Sequence, residues 1–220
     1  MDTTKFTWVP FYTELAHKLL EYKNKRHELI DFIFAEDGLL EFSNYLHLKD
    51  KNQRIDDIDP FSFFGMFNRG LNESNRLKVL EKIKNRFSIN ANMPSDFCGI
   101  PVLNYMRQFF YHWDDLKESC NRLWIAFEAI LNGNLEPWFE YRSFTDKMAE
   151  TTMVLYWIDA NKYINLDSKN TAYLKHYQIN TKINNAQSYL DLIEQIKSKI
   201  QSGEIKENSF MEFSYNAWKI

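Results

Sequence analysis

Hydrophobic positions along this chain recur mostly at helical spacing. Phe11, Leu15, Leu19 and Tyr22 lie three or four residues apart, and Leu29, Ile30, Ile33 and Phe34 continue the series. A stripe with this period marks a helix with one face on a core. It predicts helix over residues 10–35, with Pro10 in the first turn and Glu14 near the positive end of the dipole. The polar run Tyr22-Lys23-Asn24-Lys25-Arg26 either divides this stretch into two helices or forms one solvated face. Leu39, Leu40, Phe42, Tyr45, Leu46 and Leu48 suggest a further short helix, followed by an exposed charged loop over 49–57. Asp59-Pro60 then reads as an N-cap with proline at the first helical position, opening a short aromatic helix that Gly70 would stop.

Asn72 is placed to cap a helix over 73–87, lined by Leu77, Leu80, Ile83 and Phe87. Pro94, Asp96 and Gly99 put a loop at 88–100. Residues 101–112 fit a helix, as do 116–131, where Leu123, Trp124, Phe127, Ile130 and Leu131 form the buried stripe, and 137–149. The period then changes. Thr151-Thr152-Met153-Val154-Leu155-Tyr156-Trp157-Ile158 is rich in β-branched and aromatic residues, and Lys162 to Leu166 follows after Asp159-Ala160-Asn161. This predicts a hairpin or small sheet. Ser168 is a candidate cap for a helix over 169–177. The clearest amphipathic pattern of the chain covers 184–202, with Gly203 as its stop. The expected fold is therefore mainly α (α+β): a multi-helix domain with a small β-hairpin or sheet near residues 152–166. The polar stretch 178–182 divides a helix-rich domain, 1–178, from a C-terminal helix and aromatic tail, 179–220. A tail that stays apolar to its last residue is expected to lead toward a downstream domain.

The 220 residues suffice for one large domain. The net charge of −3 is not that of a protein holding nucleic acid by charge alone, so nucleic-acid binding would need a local basic face. Aromatics make up 16% of the chain, enough to fill a core and leave rings for stacking. The two cysteines, Cys98 and Cys120, do not make a disulfide framework and fit reduced thiols in a cytoplasmic protein. The N-terminus has no signal-peptide pattern, and no apolar run is long enough to span a membrane.

Catalytic signatures are missing. There is no GxxxxGK(S/T), no GxGxxG, no CxxC and no HExxH. His112 beside Asp114 and Asp115 reads as a loop before a helix rather than a metal site. Cys98 has no assignable base. Glu194 and Lys197 lie on an amphipathic helix at the wrong spacing for a nuclease, and read as a solvated face. The expectation is a chain that is not itself an enzyme and needs no cofactor.

Three stretches in consistent order carry a resemblance: Phe6-Thr7-Trp8-Val9-Pro10-Phe11-Tyr12; Asp57-Ile58-Asp59-Pro60-Phe61-Ser62-Phe63-Phe64-Gly65-Met66-Phe67-Asn68-Arg69-Gly70; and Tyr156-Trp157-Ile158 followed by Tyr163 to Asn170. With Ile100-Pro101-Val102-Leu103-Asn104 and the tail ending at Trp218, they resemble the region preceding the AAA+ motor in McrB-type restriction proteins. The resemblance implies an N-terminal target-recognition domain binding double-stranded DNA, often at a modified base. A GTP-hydrolysing motor and a partner nuclease subunit would lie outside this chain. Domains in this position vary in fold, so the role comes from the family alone.

A DNA reader needs cations for phosphates, and polar or aromatic groups for bases. The segment with Tyr156, Trp157, Lys162, Tyr163, Asn165, Asp167, Lys169 and Asn170 supplies that mixture. Asn68 and Arg69 at the end of the aromatic helix, and Arg142 beside Trp138 and Tyr141, are further candidates. Each also has a packing or capping explanation. Lys23, Lys25 and Arg26, with Lys82, Lys84 and Arg86, are candidate phosphate contacts or plain solvated faces. Two rival readings are an assembly domain of an AAA+ NTPase, which would carry an exposed apolar patch, and a small-molecule or nucleotide sensor, which would carry a deep aromatic pocket.

Overall fold

The computed structural model describes residues 5–35, 38–39, 54–103, 115–142 and 147–220. Among them run ten helices: α1 Trp8–Leu20, α2 Arg26–Phe34, α3 Pro60–Phe67, α4 Glu73–Phe87, α5 Leu116–Leu131, α6 Glu136–Arg142, α7 Met148–Ile158, α8 Ser168–His176, α9 Ala186–Gln201 and α10 Phe210–Ala217. The chain is mainly α. The helix expected within 36–48 and most of that expected over 101–112 lie outside the described residues. None of the described helices is long and apolar enough to cross a membrane.

Helices begin where side chains accept the free N–H groups of a first turn. Asp59 accepts from Phe61 and Ser62, Asn72 from Asn75, Asn185 from Ser188 and Ser209 from Glu212. The pattern over 10–35 resolves into two helices, α1 and α2. Thr7 at the start of α1 provides no side-chain cap. Asp96, 89 residues away, takes over: its carboxylate accepts from the backbone N–H groups of Phe6 (3.0 Å) and Thr7 (2.8 Å). Glu14 is not in the first turn of α1; it holds the far loop by accepting from the N–H groups of Asn90 and Ala91, both at 2.8 Å.

Two boundaries differ from expectation. Helix α3 ends at Phe67 with Asn68 as C-cap, and Gly70 lies beyond it, exposed. Asp167 rather than Ser168 caps α8, accepting from Asn170 N–H at 2.8 Å.

The larger correction concerns the β-hairpin expected at 152–166. Residues 148–158 form α7, and 151–158 are all buried. A helix buried all round loses the polar face that makes helical periodicity visible, so β-branched and aromatic content misleads. Thr152 fits the helix by donating to the carbonyl of Met148 at 2.9 Å. Residues 163–167 form no strand, and side chains do the work of a ladder. The Tyr189 hydroxyl accepts from Ile164 N–H at 3.0 Å and donates to Ile164 C=O at 2.7 Å. The Thr152 hydroxyl accepts from Leu166 N–H at 2.8 Å.

The core is aromatic. Helix α3 is buried along its whole length, and Phe61 packs on Trp138 with ring centroids 4.3 Å apart. Tyr12 meets Trp8, Phe64 and Phe67. Gly65 lets Leu103 close on α3, since a Cβ there would lie 3.2 Å from the leucine Cδ1. Residues 179–220 share this core through Ile179, Ile183, Tyr189, Ile193, Phe210 and Phe213, and α10 packs on α8.

Candidate nucleic-acid interface

Nine of the eleven residues proposed from the sequence as DNA contacts are buried: Tyr156, Trp157, Tyr163, Asn165, Asp167, Asn170, Asn68, Arg69 and Arg142. Their partners explain why. Trp157 donates its indole N–H to the Pro101 carbonyl at 2.9 Å. Tyr156 packs on Trp8, and burial pushes its hydroxyl far above the usual tyrosine range. Burial, then the charge of Asp159, pushes Tyr163 up to about 12. The Asn165 amide donates to Asp167 at 2.8 Å, and Asn170 lies in the first turn that Asp167 caps. Asn68 accepts from the Tyr12 hydroxyl at 2.9 Å, and its amide donates to Phe64 C=O at 3.0 Å. Arg69 lies beside Gly65, and its residue pairs with Leu103 in an isolated parallel bridge. Arg142 does sit over the Trp138 ring, at 5.6 Å, but as an interior residue paired with Glu150 at 3.0 Å. In this fold these nine are packing and capping residues. Lys162 and Lys169 are exposed, and Lys162 pairs with Asp159 at 3.1 Å.

The other basic groups are largely engaged within the chain. Arg26 pairs with Asp57 at 2.9 Å and Arg86 with Glu28 at 3.2 Å, while Lys23 pairs with Glu128. Lys84 donates to the carbonyl of Ile89 at 2.7 Å and Lys82 to that of Gly38 at 2.9 Å. Lys25 lies over the Tyr22 ring at 4.8 Å.

One face keeps cations and rings together at the surface. It is built by α8, α10 and the loop 99–102. The loop is fixed from beneath by two buried indoles: Trp8 donates to Cys98 C=O and Trp157 to Pro101 C=O, both at 2.9 Å. It lies close against α10, where Gly99 has φ +67° and a Cβ would approach the Met211 carbonyl at 3.2 Å and Tyr215 at 3.4 Å. Between loop and helix is a cleft of about 410 Å³ lined by Ile100, Pro101, Val102, Met153, Tyr215 and Trp218 together with Asp167 and Ser168.

Trp218 is 57% exposed, yet its indole N–H is tied to Asp167 at 3.0 Å. Val102 across the cleft is 48% exposed. Lys219 lies over the Tyr215 ring at 3.9 Å, with Lys5 at 5.6 Å from the same ring. A second cleft of about 370 Å³ is lined by Lys169, Tyr173, His176, Ala172, Ala217 and Ile220. Tyr173 and His176 are near-parallel there, 9° apart in plane. Tyr173 is anchored by donating to the buried Glu207 at 2.6 Å, and Glu207 also accepts from Asn216 at 3.0 Å. Burial, then the bond to Glu207, raises the Tyr173 hydroxyl far beyond its ordinary value.

Sequence reasoning missed Trp218, Tyr215, Tyr173 and Lys219 as surface groups. The signal was Trp218 and Lys219 three and four residues beyond Tyr215, one turn away, in a stretch that reads as an apolar tail. Among the described residues no cluster of three or more His, Cys, Asp or Glu side chains could hold a metal ion. His112 and Asp114 lie outside the described residues. Cys98 is half-buried with its thiol pushed up, mainly by burial and by Asp96; Cys120 is buried and raised further.

Comparison with curated proteins gives no match, nor does comparison with solved structures. A family model described as a domain of unknown function (DUF8425) matches residues 8–220, and the chain belongs to that family.

Proposed function

We propose that this chain is a DNA-binding domain, acting as the target-recognition part of a McrB-type restriction system, with its contact face at α8, α10 and the loop 99–102. The observation that carries this reading is the grouping of Lys169, Lys219 and Lys5 with exposed or half-exposed Trp218, Tyr215, Tyr173 and His176. Among the described residues, Lys169 and Lys219 form no ion pair. A local lysine cluster compensates for an overall charge of −3 because phosphate attraction is felt over roughly a Debye length, about 10 Å at moderate salt. Rings alongside the lysines supply contacts to bases. The buried candidates of the segment 156–170 serve this face from behind, Trp157 through the loop and Asp167 through Trp218.

The resemblance to the region before a McrB-type motor supports the cellular role: target reading by this chain, with nucleotide hydrolysis and a nuclease partner residing elsewhere. A second reading, docking of another protein for assembly, is favoured by the exposed apolar Val102, Trp218 and Ile220 at this end. Double charge reversal separates the two. Lys169→Glu with Lys219→Glu should abolish low-salt binding of a labelled duplex in a fluorescence anisotropy titration, with thermal unfolding unchanged. Undiminished duplex binding by the folded double variant would remove this face from the proposal.

A further inference from the structure

We infer that the cleft between the loop 99–102 and α10 takes unpaired bases, with Trp218 as the stacking platform, so that the domain engages single-stranded nucleic acid in preference to intact duplex. This rests on the DNA-binding reading above.

The indole of Trp218 is exposed but not free to turn. Its N–H is held by Asp167, whose carboxylate is itself fixed by Asn165 (2.8 Å) and by the first turn of α8 (2.8 Å). An exposed tryptophan with a fixed ring plane has already lost its rotational freedom, so a flat ligand stacking on it does not have to order it. The wall opposite is apolar and rigid, because buried indoles hold Cys98 and Pro101 by their carbonyls. At about 410 Å³ the cleft has the dimensions of a ligand site.

Its wall presents the rings of Trp218 and Tyr215 and the hydrocarbon of Ile100, Pro101, Val102 and Met153, beside the Asp167 carboxylate, which already accepts three hydrogen bonds. Lys219 at the Tyr215 ring and Lys169 at the neighbouring cleft flank the platform. Cations beside stacking rings complement a strand whose phosphates and bases are both accessible. In a paired duplex the base faces are covered by their neighbours, and Trp218 would have nothing to stack on.

The test is a fluorescence anisotropy titration of the full chain with one labelled oligonucleotide, given single-stranded and as its blunt duplex. The single strand should bind more tightly. Trp218→Ala should weaken single-strand binding about tenfold, as expected for loss of one stacked base, and leave duplex binding within twofold. Trp218→Phe, which keeps a ring but loses the N–H that Asp167 holds, should recover part of the loss, which a structural defect would not allow. Equal affinity for the two forms, or a Trp218→Ala variant that binds the single strand normally, overturns the inference and leaves the DNA-binding reading standing. Failure of both forms to bind at low salt overturns that reading as well.

Discussion

Asp167 accepts the indole N–H of Trp218 at 3.0 Å while also accepting the backbone N–H of Asn170 at 2.8 Å. One carboxylate thus starts α8 and orients a surface ring 51 residues further along the chain. Replacing it by alanine should cost about 1 kcal/mol through the lost cap. It should also weaken single-strand binding in the same direction as Trp218→Ala, because the platform is no longer held. Urea unfolding and anisotropy on the one variant measure both effects. Asp167→Asn keeps a capping oxygen but turns an amide N–H toward the Asn165 amide and the Trp218 indole, so it should restore the cap while still weakening single-strand binding.

Trp157 and Trp218 are expected to separate cleanly in a stability measurement. Trp157→Phe leaves the buried Pro101 carbonyl without its donor, at a cost of about 1–3 kcal/mol. Trp218→Phe, at a ring 57% exposed, should move the urea midpoint very little. Equal midpoints for the two variants would contradict a scaffolding role for Trp157.

Tyr189 serves both backbone groups of Ile164 with one hydroxyl. Tyr189→Phe removes the donor and the acceptor together and leaves two buried groups unmatched. A loss of about 1–3 kcal/mol is expected, with faster amide exchange at Ile164 as the local signature.

Asp59 gives the fold a defined pH response. Burial raises its carboxyl to about 6 from 3.8, against the hydrogen bonds from Ser62 and Phe61. Below 3.8 both folded and unfolded chains carry the proton. Between there and about 6 the unfolded chain releases it while the folded chain keeps it, so this group's contribution falls as pH rises and levels off above about 6. The change is about 3 kcal/mol. Asp59→Asn keeps an acceptor for the cap and removes the ionisation. Compared with the parent chain by urea unfolding at acid and neutral pH, it should gain relative stability toward neutral pH.

Much of the helical frame was legible in the sequence, and the reasons are local. Asn72 with 73–87 and the stripe of 116–131 are periodic on one face and polar on the other, so pattern and structure coincide. The segment 151–158 is buried on every side and has no polar face to reveal its period. The candidate site failed for a related reason. Asn165, Asp167 and Asn170 have the chemistry of base readers, but the same donors and acceptors also satisfy a buried extended segment and a helix start, and burial leaves no mark on residue type. Lys169, named in the same segment, is exposed in the first turn of α8. Trp218 and Lys219 were passed over because the platform depends on Asp167, which only the fold brings beside them.

The most direct measurement is the affinity of the chain for labelled duplex DNA, unmodified and carrying a modified cytosine or adenine, at two salt concentrations. Binding at low salt that weakens as salt rises is the expected result. Lys169→Glu and Lys219→Glu should each lower the slope of log K against log salt by about 1, as for one phosphate contact apiece. No binding to any of these duplexes at low salt would contradict the assignment of this domain as a DNA reader.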